Sequence, residues 1–378
     1  MRFVDEYRDP VRARALADRI AAVLRRPWTL MEVCGGQTHT LVREGIDEVL
    51  PAAVELVHGP GCPVCVTPVE VIEAACRIAA EPGVTLCSFG DMLRVPGRDR
   101  DLQQVRAAGG DVRVVYSPLD AVGIASAEPS RTVVCFAVGF ETTAPATALS
   151  LLEARRRGLS NYLVLSAHVR VPPALEVILG APDNRVQGLL APGHVCTVQG
   201  DAEYAPIVAR HRVPIVITGF EPVDLLEGIL ACVTQLEEGR AELENRYRRS
   251  VRPEGNPVAR AALAEVFEPV DRRWRGLGTL PLGGLGLRDA WRAYDAEARF
   301  GPVPEGTDDG RCRAGLVLAG RLRPDACPEF GTGCRPEHPL GAPMVSTEGA
   351  CAAYWHAGRP RRPGPGDVAG PVPEAASR

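Results

Sequence analysis

Short apolar runs alternate with amphipathic or alanine-rich stretches over the first 220 residues of the chain. The apolar runs have the length of strands, and the stretches between them show the apolar spacing of helices. Repetition of this pair is typical of βαβ units, whose parallel strands are buried on both faces. The pattern predicts strands at residues 28–33, 54–57, 84–88, 112–116, 132–138, 162–166, 186–190 and 215–218, and helices at 38–50, 68–80, 142–157 and 172–179.

These eight strands fit one large sheet or two smaller ones, and we favour two α/β domains. Each half of the region has its own polar motifs at strand ends, and the boundary is expected near residues 117–129. The predicted organisation is an N-terminal helix in residues 1–27 that packs on the rest, a first α/β domain in 28–120 and a second in 121–222.

The pattern changes after residue 222. Residues 223–248 and 256–267 read as helices, and from about residue 276 the chain is rich in Gly, Pro and charge. We predict a helical and loop-rich domain in residues 223–357. The last segment, residues 358–378, has the composition of a disordered tail.

Three cysteines near the N-terminus suggest a chemical site. Cys34 begins the motif Cys-Gly-Gly-Gln-Thr-His, and Cys62 and Cys65 end the motif His-Gly-Pro-Gly-Cys-Pro-Val-Cys. Both motifs follow predicted strands, and the carboxyl ends of parallel strands open into a common crevice. Three thiols at one place suit soft-metal binding or thiol redox chemistry. A helix N-terminus after Cys34 is expected to lower the pKa of its thiol. An alternative is that Cys62 and Cys65 form half of a zinc site, with Cys34 and His58 as further ligands.

Most other predicted strands also end in an ionisable or hydroxyl side chain beside a glycine. The motifs are Gly-Phe-Glu-Thr-Thr at residues 139–143, Ala-His at 167–168, Pro-Gly-His at 192–194 and Gly-Phe-Glu-Pro-Val-Asp at 219–224. Each residue alone is explained as a helix cap or a packing group. The recurrence favours a shared crevice lined by Glu141, Thr142, Thr143, His168, His194, Glu221 and Asp224.

A second set of cysteines lies in the loop-rich part of the chain: Cys312, Cys327, Cys334 and Cys351. Four cysteines in such a module are typical of zinc or an iron–sulfur cluster, and their spacing does not decide between them. The remaining cysteines fall on helix and strand patterns and are expected to be buried apolar thiols; they are Cys76, Cys87, Cys135, Cys196 and Cys232.

Composition and charge narrow the function classes. The net charge is −4, which does not favour nucleic-acid binding. The charged N-terminal segment lacks the apolar core of a signal peptide, and no apolar run reaches the ~18–20 residues that span a bilayer. Twelve cysteines without an export signal favour reduced thiols, metal ligands or redox pairs over structural disulfides. We therefore expect a cytoplasmic protein that binds neither nucleic acid nor membrane.

The motifs together resemble those of the HypD family of [NiFe]-hydrogenase maturation factors. The similarity covers about residues 1–357 and includes the motifs quoted above and Met-Val-Ser-Thr-Glu-Gly-Ala-Cys at residues 344–351. The resemblance implies two α/β domains facing a central crevice and a third domain with a [4Fe-4S] cluster. It also implies a scaffold for the Fe(CN)2CO group that works with the chaperone HypC and the cyanide donor HypE, and serves the hydrogenase large subunit through HypC.

The resemblance further implies roles for single residues. Cys34 would hold the iron together with a cysteine of HypC, and His39 would orient a ligand or move a proton. Cys62 and Cys65 would be a redox pair that receives electrons from the C-terminal cluster. Glu141 and His168 would hydrogen-bond the cyanide nitrogens or relay protons. The protein would be an iron-binding redox scaffold and not a conventional turnover enzyme, with an apolar docking patch beside the crevice.

The chain departs from the family pattern at three positions. Gln37 stands where many members have histidine, Pro343 stands where a cysteine is common, and Ala314 replaces the second cysteine of a Cys-x-Cys-Gly element. The last change makes Cys312 a weaker ligand candidate than the other three. Two alternatives remain open: a protein thiol–disulfide oxidoreductase that uses Cys62 and Cys65, and a zinc-stabilised binding module.

Overall fold

A computed structural model describes residues 5–304, 306 and 310–360 of the chain. Within these residues eleven strands form two parallel sheets and one antiparallel hairpin. The strands are β1 (Trp28–Glu32), β2 (Val54–His58), β3 (Val84–Ser88), β4 (Asp111–Val114), β5 (Thr132–Gly139), β6 (Tyr162–His168), β7 (Gly188–Pro192), β8 (Ile215–Thr218), β9 (Leu243–Asn245), β10 (Phe267–Trp274) and β11 (Gly278–Leu287).

Helices connect nearly all of these strands. They are α1 (Pro10–Val23), α2 (Gly35–Arg43), α3 (Ile46–Val49), α4 (Pro63–Val66), α5 (Val69–Ala79), α6 (Leu102–Ala107), α7 (Pro118–Ala127), α8 (Ala144–Arg156), α9 (Val171–Gly180), α10 (Gly193–Gln199), α11 (Ala205–His211), α12 (Pro222–Glu237), α13 (Pro257–Val266), α14 (Ala296–Phe300), α15 (Ala314–Leu318) and α16 (Ala350–His356). Short 3₁₀ helices lie at Asp5–Tyr7, Gly90–Arg94, Asp289–Tyr294, Pro324–Ala326 and Ala342–Met344. None of the helices in these ranges has both the length and the apolar character to cross a membrane.

The predicted α/β class with two parallel sheets is confirmed, but the strands are grouped differently from the prediction. The first sheet has the order β2-β1-β7-β8-β9, and the second has the order β4-β3-β5-β6. The second sheet is therefore inserted between β2 and β7 of the first, and the expected boundary at residues 117–129 falls inside it. Strand β7 pairs with β1 at Gly188. A Cβ atom at this position would overlap the side chains of Leu30 and Cys232, so glycine allows the close approach.

The C-terminal residues are also distributed differently. Helix α12 packs with α1 on one face of the first sheet, where Leu16, Ile20 and Ile229 share a core. Strand β9 extends that sheet, and the hairpin β10–β11 was not predicted. Of the predicted tail, residues 361–378 lie outside the described residues, whereas Arg359 is held by an ion pair with Asp47 at 2.7 Å.

Both faces of the first sheet are covered, which explains its uninterrupted apolar strands. Leu30 and Leu56 point into the core with α1 and α12. Their neighbours Met31 and Val57 point the other way, because successive side chains of a strand alternate between faces. Only at the carboxyl ends of these strands do polar side chains enter the interior.

Candidate functional site

Cys34 lies at the carboxyl end of β1 and immediately precedes α2. Its backbone N–H donates to the Glu32 carboxylate at 2.9 Å, and the N–H of Gly35 donates to the carbonyl of Gly61 at 2.8 Å. Strands β1 and β2 are paired so that Glu32 lies opposite His58. This register brings the two cysteine motifs together, as the parallel-sheet pattern predicted.

The Gly-Pro-Gly segment after β2 makes the approach possible. A Cβ atom at Gly61 would overlap the backbone of Cys34, so only glycine fits there. The chain then enters α4, where Cys62 and Cys65 form a disulfide with their Cα atoms 5.2 Å apart. Both residues are buried, with 3% and 0% of their surface exposed. A partly buried thiol and a fully covered disulfide therefore lie side by side.

A buried carboxylate organises this edge of the sheet. One oxygen of Glu32 accepts from the Cys34 amide; the other contacts the Thr38 hydroxyl and His58 Nδ1, the latter at 2.7 Å. His58 Nε2 is 3.0 Å from the hydroxyl of Tyr354 on α16. All of these partners except Cys34 are fully or nearly fully buried.

Glu32 and Tyr354 were not identified from the sequence. The signal for Glu32 was an acidic residue at the end of an otherwise apolar strand, and Tyr354 gave no local signal. His58 appeared only as a possible zinc ligand, yet both of its ring nitrogens are engaged by Glu32 and Tyr354.

The predicted low pKa of Cys34 is contradicted. Burial raises the pKa of this thiol to about 12, and the carboxylates of Glu32 and Glu348 add to the rise. A hydrogen bond from the Gly36 amide at the start of α2 lowers the pKa, but by less than burial raises it. Desolvation and two negative charges thus outweigh the helix N-terminus. The thiol stays protonated at neutral pH unless a cation binds to it, because a coordinating metal ion deprotonates a thiol.

His39 and Gln37 occupy different surroundings on α2. His39 is half-buried and lines a pocket of about 420 Å³ with His356 and Arg359, towards α16. Gln37 is buried, and its amide nitrogen donates to the carbonyl of Ala191 in β7 at 3.1 Å. Glutamine at this position therefore ties α2 to the first sheet.

The second sheet presents Glu141 and His168 at neighbouring strand ends, where Gly139 pairs with His168. One oxygen of Glu141 accepts from the Val171 amide at 3.0 Å, and burial raises the pKa of the carboxyl to about 7. His168 Nε2 is 3.0 Å from the Thr147 hydroxyl, and burial lowers the pKa of the imidazole to about 4. Both side chains are buried and do not line an open surface.

The other strand-end candidates have mixed surroundings. Glu221 and Asp224 cap α12 and pair with arginines, Arg8 and Arg249 respectively. The ring of His194 stacks on Phe220 with centroids 3.7 Å apart. Thr143 precedes α8 and its hydroxyl is 3.3 Å from the Phe140 carbonyl, and Thr142 is half-buried.

Of this set, the stacked pair is the one next to the thiol site. A Cβ atom at Gly36 would lie 3.1 Å from Phe220. The structure therefore brings His194 and Phe220 beside the Cys34 loop, and gives Glu221 and Asp224 structural partners.

The four C-terminal cysteines come together in one small module. Burial raises the pKa of Cys351 well above its usual range, and the other three thiols add to the rise. Burial also raises the pKa of Cys312 to about 11, with contributions from Cys334 and Cys327. Cys312, which the sequence ranked lowest, thus belongs to the set. The module packs on α2 through apolar residues: Val42, Phe330, Met344, Ala353 and Tyr354.

The cysteines outside the Cys62–Cys65 disulfide are all free thiols. Across the described ranges, no three His, Cys, Asp or Glu side chains are arranged to hold one ion. All four C-terminal cysteines are free of disulfides and half-buried. Four free thiols in one module are a donor set that suits either an iron–sulfur cluster or a zinc ion. The five cysteines expected to be buried are buried: Cys76, Cys87, Cys135, Cys196 and Cys232.

Comparison with known proteins agrees with the resemblance seen in the motifs. Residues 11–358 match the family model described as "HypD: Hydrogenase formation hypA family". Three relatives carry the name "Hydrogenase maturation factor HypD". The protein of Rhodobacter capsulatus is 46% identical, covering 96% of this chain and 99% of the relative. That of Azotobacter vinelandii is 47% identical over 96% and 98%, and that of Escherichia coli K12 is 45% identical over 94% and 98%. The chain therefore belongs to the HypD family of hydrogenase maturation factors.

Proposed function

We propose that this protein is a cytoplasmic scaffold on which the Fe(CN)2CO group of [NiFe]-hydrogenases is assembled. The observation that carries the proposal is the position of Cys34, a partly buried thiol beside a buried disulfide, whose backbone amide is linked through Glu32, His58 and Tyr354 to the four-cysteine module. Thiolate is a suitable ligand for soft, low-spin iron. Iron is cargo in this proposal, and Cys34 holds it together with a cysteine of a HypC-like partner.

Cys62 and Cys65 serve as a two-electron redox pair next to the iron. Reduction of their disulfide takes two electrons and two protons and produces two thiols. Cys312, Cys327, Cys334 and Cys351 would hold a [4Fe-4S] cluster, which would supply one-electron transfer with electrons from a low-potential one-electron donor protein. The contact of Glu348 with Gly35 supports this arrangement, because it places the segment that leads to Cys351 directly against the Cys34 loop.

The polar residues around Cys34 have supporting roles. Glu32 fixes the backbone of the Cys34 loop through the Cys34 amide. The negative charge of Glu348 raises the pKa of the Cys34 thiol. The thiol therefore keeps its proton until a bound cation replaces it. We assign Glu141 and His168, whose side chains are buried, to proton supply or hydrogen bonding within the interior, and His39 to the pocket shared with α16.

The partners are a HypC-like chaperone, a HypE-like cyanide donor and, through HypC, the hydrogenase large subunit. An exposed apolar patch at the end of β4 supports docking: 42% of Val114, 93% of Tyr116 and 45% of Leu119 are exposed. It adjoins Gly90, and the next residue, Asp91, acts electrostatically on Glu348 beside Cys34.

The alternative function, a protein thiol–disulfide oxidoreductase, has less support. An enzyme of that kind must expose one sulfur of its pair to the disulfide of another protein. Cys62 and Cys65 are almost completely covered.

The test is anaerobic co-production with a HypC-like partner, followed by infrared spectroscopy and metal analysis. The wild-type complex should show cyanide and carbonyl bands and about four additional irons. Cys34→Ala should lose the bands and keep the cluster, and Cys232→Ala, which removes a thiol of α12 buried against the first sheet, should keep both. Full bands in Cys34→Ala, or stoichiometric zinc in a colourless wild type, would overturn the proposal.

A further inference from the structure

The turn between β10 and β11 inserts between the disulfide segment and the cysteine module. Gly276 in this turn has φ +76° and lies directly against Gly315 of α15, where a Cβ atom would overlap the backbone. Such close contact of two backbones requires glycine at both positions. The turn thereby carries its neighbour, Arg275, to a place between the two sets of sulfur atoms.

Arg275 is bound to the chain that leaves the disulfide. Its backbone N–H donates to the carbonyl of Val66 at 2.7 Å, and its Nε donates to the carbonyl of Thr67 at 2.9 Å. Val66 and Thr67 directly follow Cys65 in sequence. Only 6% of Arg275 is exposed, so these bonds form in the interior.

The guanidinium also approaches Cys312. A Cβ atom at Gly341 would overlap the Cys312 sulfur and would lie 3.8 Å from Nη1 of Arg275. The Cys312 sulfur and the Arg275 guanidinium therefore both lie next to Gly341.

A buried positive charge beside a cluster ligand has a defined consequence. Arginine remains charged at all relevant pH values. Reduction adds one negative charge to an iron–sulfur cluster, and a fixed cation in a medium of low dielectric constant stabilises that form.

We propose that Arg275 is a positioning residue that raises the reduction potential of the cluster in the four-cysteine module and holds the Cys62–Cys65 segment beside it. The inference rests on the proposed function, since it needs a cluster at these cysteines. In this proposal one side chain sets both the reduction potential of the cluster and the position of the disulfide segment.

The test is a redox titration of the cluster, followed by its electron paramagnetic resonance signal. Arg275→Gln should lower the equilibrium constant for reduction about tenfold, which is about 59 mV for a one-electron couple. Arg275→Lys keeps the charge and should restore most of the wild-type potential. Arg313→Gln is the matched control, because Arg313 is adjacent to Cys312 in sequence but exposed to solvent. Its effect should stay below about threefold, since water screens surface charges.

An unchanged potential in Arg275→Gln, or an equally lowered one in Arg275→Lys, would overturn the inference. If Arg275→Gln does not fold, Arg275→His replaces it. The cluster potential of Arg275→His should then fall relative to that of wild type as the pH rises through the imidazole pKa. A difference between the two potentials that does not change with pH would contradict the inference. A wild-type protein without a cluster overturns both this inference and the electron-transfer part of the proposed function. A wild-type cluster insensitive to Arg275 overturns the inference alone.

Discussion

The two cysteine sites are held in place by different means. Cys34, Cys62 and Cys65 follow strands of the first sheet, in which Leu30, Met31 and Val57 are almost fully buried. The four C-terminal cysteines lie in a module of turns and short helices that contributes only four residues to its core cluster, the fifth being Val42 of α2. A large core orders the first site without any ligand. The second has little apolar area, so a bound group should supply much of its folding free energy.

The largest effect is expected from Cys351→Ala. Because metal binding and folding are coupled in a small module, the variant should lose all visible cluster absorption and become susceptible to protease within residues 310–358. The first sheet should remain folded. Iron analysis, absorption and limited proteolysis measure these outcomes, with Cys232→Ala as a control that keeps its cluster. A full cluster spectrum in Cys351→Ala would show that this cysteine is not a ligand. It would also contradict the difference between the two sites, since the second site would not depend on this ligand.

Glu32→Gln tests whether the first site is ordered by its buried hydrogen bonds. The amide group can accept through only one atom, so at least one of its donors, the Cys34 amide among them, loses its acceptor. The free energy of unfolding should fall by about 3 kcal/mol, because a buried donor is left without a partner. Urea unfolding measures the change. Glu55 on β2 provides a control, because its partly exposed carboxylate pairs with Arg185 at the surface; Glu55→Gln should change stability by less than about 1 kcal/mol. Equal stability in the two variants would show that Glu32 does not organise the site.

The second sheet gives a pH-dependent counterpart. Burial raises the pKa of Glu141 to about 7, above that of an ordinary glutamate, so the folded protein binds this proton more tightly than the unfolded chain. The stability it contributes is complete below about pH 4.5 and is lost as the pH rises through 7. Glutamine does not titrate. Glu141→Gln should therefore gain about 2 kcal/mol relative to wild type between pH 5 and pH 7.

His168→Gln is a control for which the change of stability with pH should have the opposite sign. The pKa of His168 is lowered to about 4, so its contribution is present above about pH 6.5 and is lost as the pH falls. The variant should therefore gain relative to wild type on acidification. Urea unfolding at pH 5, 6 and 7 separates the two trends, and parallel pH profiles for wild type and Glu141→Gln would contradict the first.

The smallest effect is expected where the two regions meet. Tyr354→Phe removes the hydroxyl that contacts His58 but keeps the ring that packs in the cysteine module. The free energy of unfolding should fall by about 1 kcal/mol, the usual contribution of one hydrogen bond. Cluster content should be unchanged. Loss of the cluster in this variant would mean that the module depends on the first sheet more than on its ligand.

Local pattern predicted the elements of the fold well. The strands at residues 84–88 and 215–218 have the predicted bounds, and the others end within a few residues of them. The predicted helix at residues 38–50 is divided into α2 and α3 at Gly45, whose φ is +65°. Strands β9 to β11 were missed: β9 has only three residues, β10 is mostly polar and lacks a clear apolar alternation, and β11 lies in a Gly-rich stretch.

The sequence by itself determined the α/β class, the apolar strands and the placing of thiols and carboxylates at their ends, because these follow from periodicities within a few residues. Only the tertiary structure decided that β7 pairs with β1, that Glu32 meets His58 and Tyr354, and that Cys312 joins three distant cysteines. It also reversed the sign of the pKa shift at Cys34, since desolvation depends on everything packed around the thiol and not on its neighbours in sequence.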